Sequence, residues 1–89
     1  MINTNHYIFE EQYYSELHDE TVMYFLKDDR TECIVFTFCG KEPEYSKCYF
    51  QKEHLTKNVD DCLEATDIVN IDISESTFNK FIALARKAK

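Results

Sequence analysis

Glycine and proline are almost absent from this chain, with one of each, Gly40 and Pro43, in 89 residues. The loops that cradle phosphates, the dinucleotide fingerprint and the Walker loop, each need at least two glycines, so both are excluded. The glycine-flanked nucleophile elbow of serine hydrolases is excluded for the same reason. Long hydrophobic runs are missing too: the longest, "VMYFL" at 22–26, is far short of the ~20 residues of a membrane helix. The opening "MINTNHYIFEEQ" has neither the basic flank and apolar stretch of a secretory leader nor the glycine of a myristoylation signal. The expected location is therefore the cytosol, where thiols stay reduced and four cysteines do not imply two disulfides.

Basic residues are missing from two long stretches. Residues 1–20 carry five acids and no Lys or Arg, and residues 59–77 carry six acids and none. Residues 21–58 hold six of each sign, and residues 78–89 hold four bases and no acid. The sum is a net charge of −7. A direct nucleic-acid ligand is disfavoured, because phosphate binding requires a basic face. A basic protein is the complementary partner, since opposite potentials raise encounter rates. The alternative is that the acids serve only solubility.

What the chain has in quantity is aromatic and β-branched side chains. Six tyrosines and seven phenylalanines accompany a 44% apolar composition, which marks a folded domain rather than a disordered tail. A chain of this length buries roughly 60–65% of its unfolded surface, enough for one two-layer core. "TVMYFL" places Val22, Tyr24 and Leu26 on one strand face and Met23 and Phe25 on the other. "ECIVFTFC" separates Ile34, Phe36 and Phe38 from Cys33, Val35, Thr37 and Cys39 in the same way. "KCYFQ" continues the β-favouring composition, with breaks at "KDDRT" and "GKEPEYS". Three adjacent antiparallel strands follow. "DIVNIDI" adds another, with Val69, Ile71 and Ile73 aligned.

After Ser74 the period changes. Phe78, Phe81, Ile82 and Ala85 recur at helical spacing. Ser74 is placed to cap this helix, with Ile73 and Phe78 stapled across the cap. Glu75 at its start and Arg86, Lys87 and Lys89 at its end suit the helix dipole. Two segments stay open. "NVDDCLEA" reads as a short helix capped by Asn58, with Val59, Cys62 and Leu63 inward. Phe9, Tyr13 and Leu17, four apart, fit both periods, and composition leans to a strand that bends before Leu17. The fold class is α+β: one domain, 1–89, with an antiparallel sheet of four to five strands and the C-terminal helix on one face.

Chemical motifs are sparse. The cysteines are separated by six, nine and fourteen residues, never by the two to four of a zinc knuckle. Cys33 and Cys39 on one strand lie roughly 20 Å apart, too far to share an ion. A turn centred on Pro43 and Glu44 sets Cys39 opposite Cys48, and the thiols are read mainly as packing groups. His6, His18 and His54 show no metal spacing. No cofactor and no metal site is expected, and no catalytic residue stands out.

The acids are the better candidates. On a helix, Asp60, Asp61, Glu64 and Asp67 come to one side, where their mutual repulsion would be relieved by a basic partner. Glu10, Glu16, Asp19 and Glu20 beside Tyr13 and Tyr14 make a second acidic area, with tyrosines as anchors. The leading expectation is a small inhibitor that neutralises a basic protein, most concretely an immunity protein (antitoxin) against a toxin nuclease. A phage-type nucleic-acid mimic that blocks a defence protein follows the same charge logic. A homo-oligomeric assembly subunit is the alternative, and a small enzyme acting on a cationic substrate is more remote.

Overall fold

The period-two stretches become strands of a single sheet, although the last of them ends at Asn70 and leaves Ile71 and Ile73 beyond it. The computed structural model describes residues 2–88, and Lys89, placed at the helix end by the sequence, lies outside them. The strands are β1 (Tyr7–Ser15), β2 (Glu20–Lys27), β3 (Glu32–Cys39), β4 (Cys48–Lys57) and β5 (Leu63–Asn70). They pair antiparallel in chain order, so β3 is central and β1 and β5 are the edges. One helix, α1 (Glu75–Lys87), follows. This is an α+β meander with one helix on one face, as the periodicity predicts.

Strand parity decides what α1 covers. Its buried stripe, Phe78, Phe81, Ile82 and Ala85, joins Tyr7, Met23, Phe25, Ile34, Phe36 and Phe38 in one core with Ile73. Phe36 is the hub, with ring centroids of Phe50, Phe25, Phe78 and Phe81 at 5.0, 5.1, 5.4 and 5.4 Å. Edge-to-face and offset ring pairs of this kind add stability beyond their buried area. Ser74 caps α1 as expected, its hydroxyl accepting from the Thr77 N–H at 3.2 Å. Ile73 and Phe78 are both buried at the staple positions.

Three hairpin tips carry a non-glycine residue in the left-handed region: Asp19 (φ 47°), Arg30 (φ 62°) and Asp61 (φ 63°). With the chain's glycine spent at Gly40 (φ 79°), Asp tolerates the conformation best among the remaining residue types used here. Both edge strands carry an irregularity, β1 between Phe9 and Glu11 and β5 opposite His54 and Leu55. Segment 9–17 therefore resolves as a bulged strand ending in a turn before Leu17.

Two expectations are corrected. "NVDDCLEA" is not a helix but the tip of the β4–β5 hairpin and the start of β5. The Asn58 side-chain oxygen accepts from the Asp60 and Cys62 N–H groups at 2.9 and 3.0 Å. This is the contact an N-cap makes, used to close a turn. Val59 is fully exposed rather than inward. Second, Cys48 pairs with Phe38, and Cys39 pairs with Glu20. The β3–β4 connection runs from Gly40 to Lys47 because Tyr45 is drawn into the core. Its ring lies 5.5 Å from Phe78 and 5.7 Å from Phe50, and its hydroxyl donates to the Ile73 carbonyl. Anchoring Tyr45 forces a short 3-10 turn, Tyr45–Lys47, and a longer loop than the four-residue turn about Pro43.

Candidate functional site

Among the described residues, no element forms a layer over the face of the sheet turned away from α1. The strand register arranges its side chains in rows across the sheet. One row runs Ile8, Leu26, Cys33, Glu53, Ile68 and the next Glu11, Tyr24, Val35, Gln51, Asn70. A third runs Tyr13, Val22, Thr37, Tyr49, and a fourth Ser15, Glu20, Cys39. Leu26, Cys33 and Val35 are buried although they belong to no part of the helix-side core. Neighbouring side chains on the same face close over them. Around this floor stand Ile8, Tyr13, Tyr49 and Ile68, which are 56%, 53%, 71% and 53% exposed. Most of the large exposed apolar side chains thus gather on one face, the arrangement that marks an interaction surface.

The charge along these rows has one sign; Lys57, which shares the parity of Glu53, stands four residues farther on at the exposed end of β4. Glu11, Glu20 and Glu53 stand in the rows, and Glu10 occupies the β1 bulge beside them, but no Lys or Arg does. The salt bridges among the described residues lie elsewhere: Lys27–Asp29, Lys47–Glu44, Lys52–Glu32 and the His6–Asp28 contact. On the helix side Glu32 is held by Lys52 and by the Tyr7 hydroxyl at 3.1 Å. Glu53 has no such neighbour, and burial raises its carboxyl above the usual range. The Cys33 thiol beneath it is pushed up to about 12, first by burial and then by the Glu53 charge. Burial, then Glu53, also raises the Tyr24 hydroxyl, and the Glu11 carboxylate foremost raises that of Tyr13. Tyr13 and Tyr24 pack edge to face at 6.0 Å. The carboxylates Glu11 and Glu53 thus help to raise the phenols of Tyr13 and Tyr24, an effect that a cation would oppose.

The residues proposed from the sequence are divided by the structure. Glu10, Tyr13 and Glu20 lie on the open face. Tyr14 points to the opposite side, donating to Asp19 at 2.7 Å, with the Lys41 ammonium 4.9 Å from its ring. Glu16 and Asp19 form the β1–β2 turn. Asp60 and Asp61 form the β4–β5 turn, and Glu64 and Asp67 sit on the helix-side parity of β5, opposite Thr56 and His54. The one-sided helical cluster of these four acids is thereby overturned. The two acidic areas lie on opposite edges and at opposite ends of the sheet, so they do not form one surface.

Glu11, Tyr24, Tyr49 and Glu53 were not singled out by the sequence reading. The signal is present as parity, since "CYFQKE" alternates Tyr49, Gln51 and Glu53 against Cys48, Phe50 and Lys52. Only the register sets Glu53 beside Cys33 and Tyr24 opposite Glu11.

The remaining groups form no comparable site. All four cysteines are free; Cys33 is buried and Cys48 half-buried, while Cys39 and Cys62 are exposed and do not pack as expected. No group of three or more metal-ligating side chains occurs among the described residues. His6 Nδ1 lies 3.1 Å from Asp28 Oδ2, but both side chains are more than half exposed. No described helix is long and apolar enough to cross a membrane. No protein-family model, characterised protein or solved structure matches the chain.

Proposed function

We propose that this protein is a small inhibitor that binds a basic partner protein through the open face of its sheet, most concretely an immunity protein against a toxin nuclease. The observation that carries the reading is the unbalanced carboxylates Glu10, Glu11, Glu20 and Glu53 among exposed Tyr13 and Tyr49 and the partly buried Tyr24. Carboxylates of this kind steer a cationic surface into contact, and aromatic rings supply the apolar anchor once it arrives. The acids of the β4–β5 turn contribute to the long-range field but lie outside the contact. Cytosolic location belongs to the same proposal, because a toxin inhibitor of this type protects the cell that makes it.

The test is co-expression with the product of the adjacent gene in the source genome. Rescue of growth, together with a complex that dissociates as salt rises, is the expected result. Reversing Glu10, Glu11 and Glu53 to lysine should abolish rescue, whereas reversing Asp60 and Asp61 should leave it intact. A complex indifferent to salt, or to both sets of reversals, would refute the reading.

A second reading, homo-oligomeric assembly, is favoured by the exposed Ile8, Tyr49 and Ile68. A twofold pairing of open faces brings Glu10, Glu11 and Glu53 of both copies together, so such an oligomer would strengthen with salt. Sedimentation at low and high salt separates the two readings.

A further inference from the structure

We infer that the element seated on the open face is a basic amphipathic helix of the partner, laid across Leu26, Cys33 and Val35 as α1 is laid across the other face. The inference rests on the basic-partner reading and adds the form of the ligand.

Three observations carry it. The first is the layer arrangement. A five-stranded sheet spans about 19 Å between edge strands, and a helix with its side chains is about 10–12 Å across. One helix therefore fits between the β1 and β5 rims, with Ile8 and Tyr13 on one side and Ile68 on the other. Its apolar stripe would meet the floor and these exposed side chains. The second is the position of the charge. Glu10 and Glu11 on β1 and Glu53 on β4 are three strands apart, about 14 Å, so they straddle the axis of such a helix. Lysine or arginine flanking the stripe on both sides reaches both sets, and these carboxylates have no basic neighbour in their own rows.

The third observation disfavours a strand. An added strand would pair with an edge, but both edges are interrupted, β1 at Glu10 and β5 at Thr66. A bulge breaks the regular ladder and twists the edge away from a newcomer. A continuous apolar floor with interrupted edges selects an element that satisfies its own backbone, which is a helix.

The experiment uses the whole protein and two synthetic 18-residue peptides made only of leucine and lysine. One spaces leucine at three and four residues to give a single stripe; the other is a scramble with the same composition. The chain has no tryptophan and six tyrosines, so tyrosine fluorescence comes from the protein alone, and the part of its change that is lost when Tyr13 and Tyr49 are replaced by phenylalanine reports on the open face. Circular dichroism reports helix gained on binding. The patterned peptide should bind and become helical, with affinity falling roughly tenfold between low and moderate salt. Glu10→Gln with Glu11→Gln and Glu53→Gln should weaken it by about tenfold, and Asp60→Asn with Asp61→Asn and Glu64→Gln by less than about twofold. Ile8→Lys with Ile68→Lys, both at half-exposed positions that leave the fold intact, should abolish it.

Equal binding of the scramble overturns the helix inference and leaves the basic-partner reading standing. Equal weakening by the two sets of neutralised acids, or no effect of the isoleucine pair, shows that bulk charge rather than this face holds the peptide and overturns it. Failure of the patterned peptide to bind at low salt overturns it as well. A dimer in the absence of peptide that becomes monomeric in the isoleucine variant identifies a second copy as the occupant, and overturns it too.

Discussion

Replacing Phe36 with leucine tests whether the ring network, and not buried area alone, holds the sheet to the helix. Leucine keeps most of the apolar volume, and volume-conserving core swaps usually cost under about 1.5 kcal/mol. Phe36 is fully buried and meets four other phenylalanine rings within 5.4 Å. Each well-placed aromatic pair contributes about 0.5–1.5 kcal/mol beyond its area. The four share one ring and relax together, so the loss is smaller than their sum, about 2–3 kcal/mol in all. A domain of this size has roughly 4–13 kcal/mol of stability and loses about 4–8 °C of Tm per kcal/mol. Phe36→Leu should therefore lower Tm by about 10–20 °C. The assay is urea unfolding followed by circular dichroism, with Val35→Ala as the control. Val35 is similarly buried on the next residue but faces the open side, with no part in the ring cluster. A loss below about 1 kcal/mol for Phe36→Leu, with an unchanged denaturant slope, would refute the reasoning.

Other consequences are open to direct measurement. Burial raises the Glu53 carboxyl above its ordinary value, so the native state holds this proton more tightly than the unfolded chain. Its favourable contribution is complete below the ordinary carboxyl pKa and is lost as pH rises through the raised one. Glu53→Gln should accordingly match the wild type in acid and exceed it at neutral pH, and parallel stability curves would contradict this. Alkylation followed by mass spectrometry should label exposed Cys39 and Cys62 quickly. Cys33 and Cys48, whose thiols burial pushes up to about 12, should react only when the chain unfolds. Ser74→Ala removes the side-chain acceptor for the Thr77 N–H and should cost about 1 kcal/mol in urea unfolding; no loss would mean that solvent replaces the cap.

Much of the fold was legible in local pattern. Alternation in 21–39 placed Val22, Tyr24 and Leu26 opposite Met23 and Phe25, while that in 67–73 found the end of β5 but carried it past Asn70, where the strand stops. The spacing of Phe78, Phe81, Ile82 and Ala85 located the buried stripe of α1. These are properties of a strand or helix by itself, so they survive without knowledge of its neighbours. The misreadings arose where one local device serves two structures. Asn58 offers the same side-chain acceptor to a helix start and to a hairpin tip, and the choice fell to β4, which pairs with β5 at seven positions. The expected Cys39–Cys48 pairing failed because the core claimed Tyr45, an event no turn rule contains.

The candidate site was less legible than the fold. From sequence alone, the two acid-rich stretches without bases set the sign of the charge, and strand parity set which residues travel together. Which face remains open was decided by α1: once Phe78, Phe81 and Ile82 cover the phenylalanine side, Leu26, Cys33 and Val35 are left to the other. Strand order and register then brought Glu10, Glu11, Tyr13, Tyr24 and Glu53 together and sent Asp60 and Asp61 to a far corner. Parity belongs to a single strand and is written in consecutive residues. Adjacency across a sheet comes from pairing five strands and packing one helix, so it exists only when the whole chain has folded.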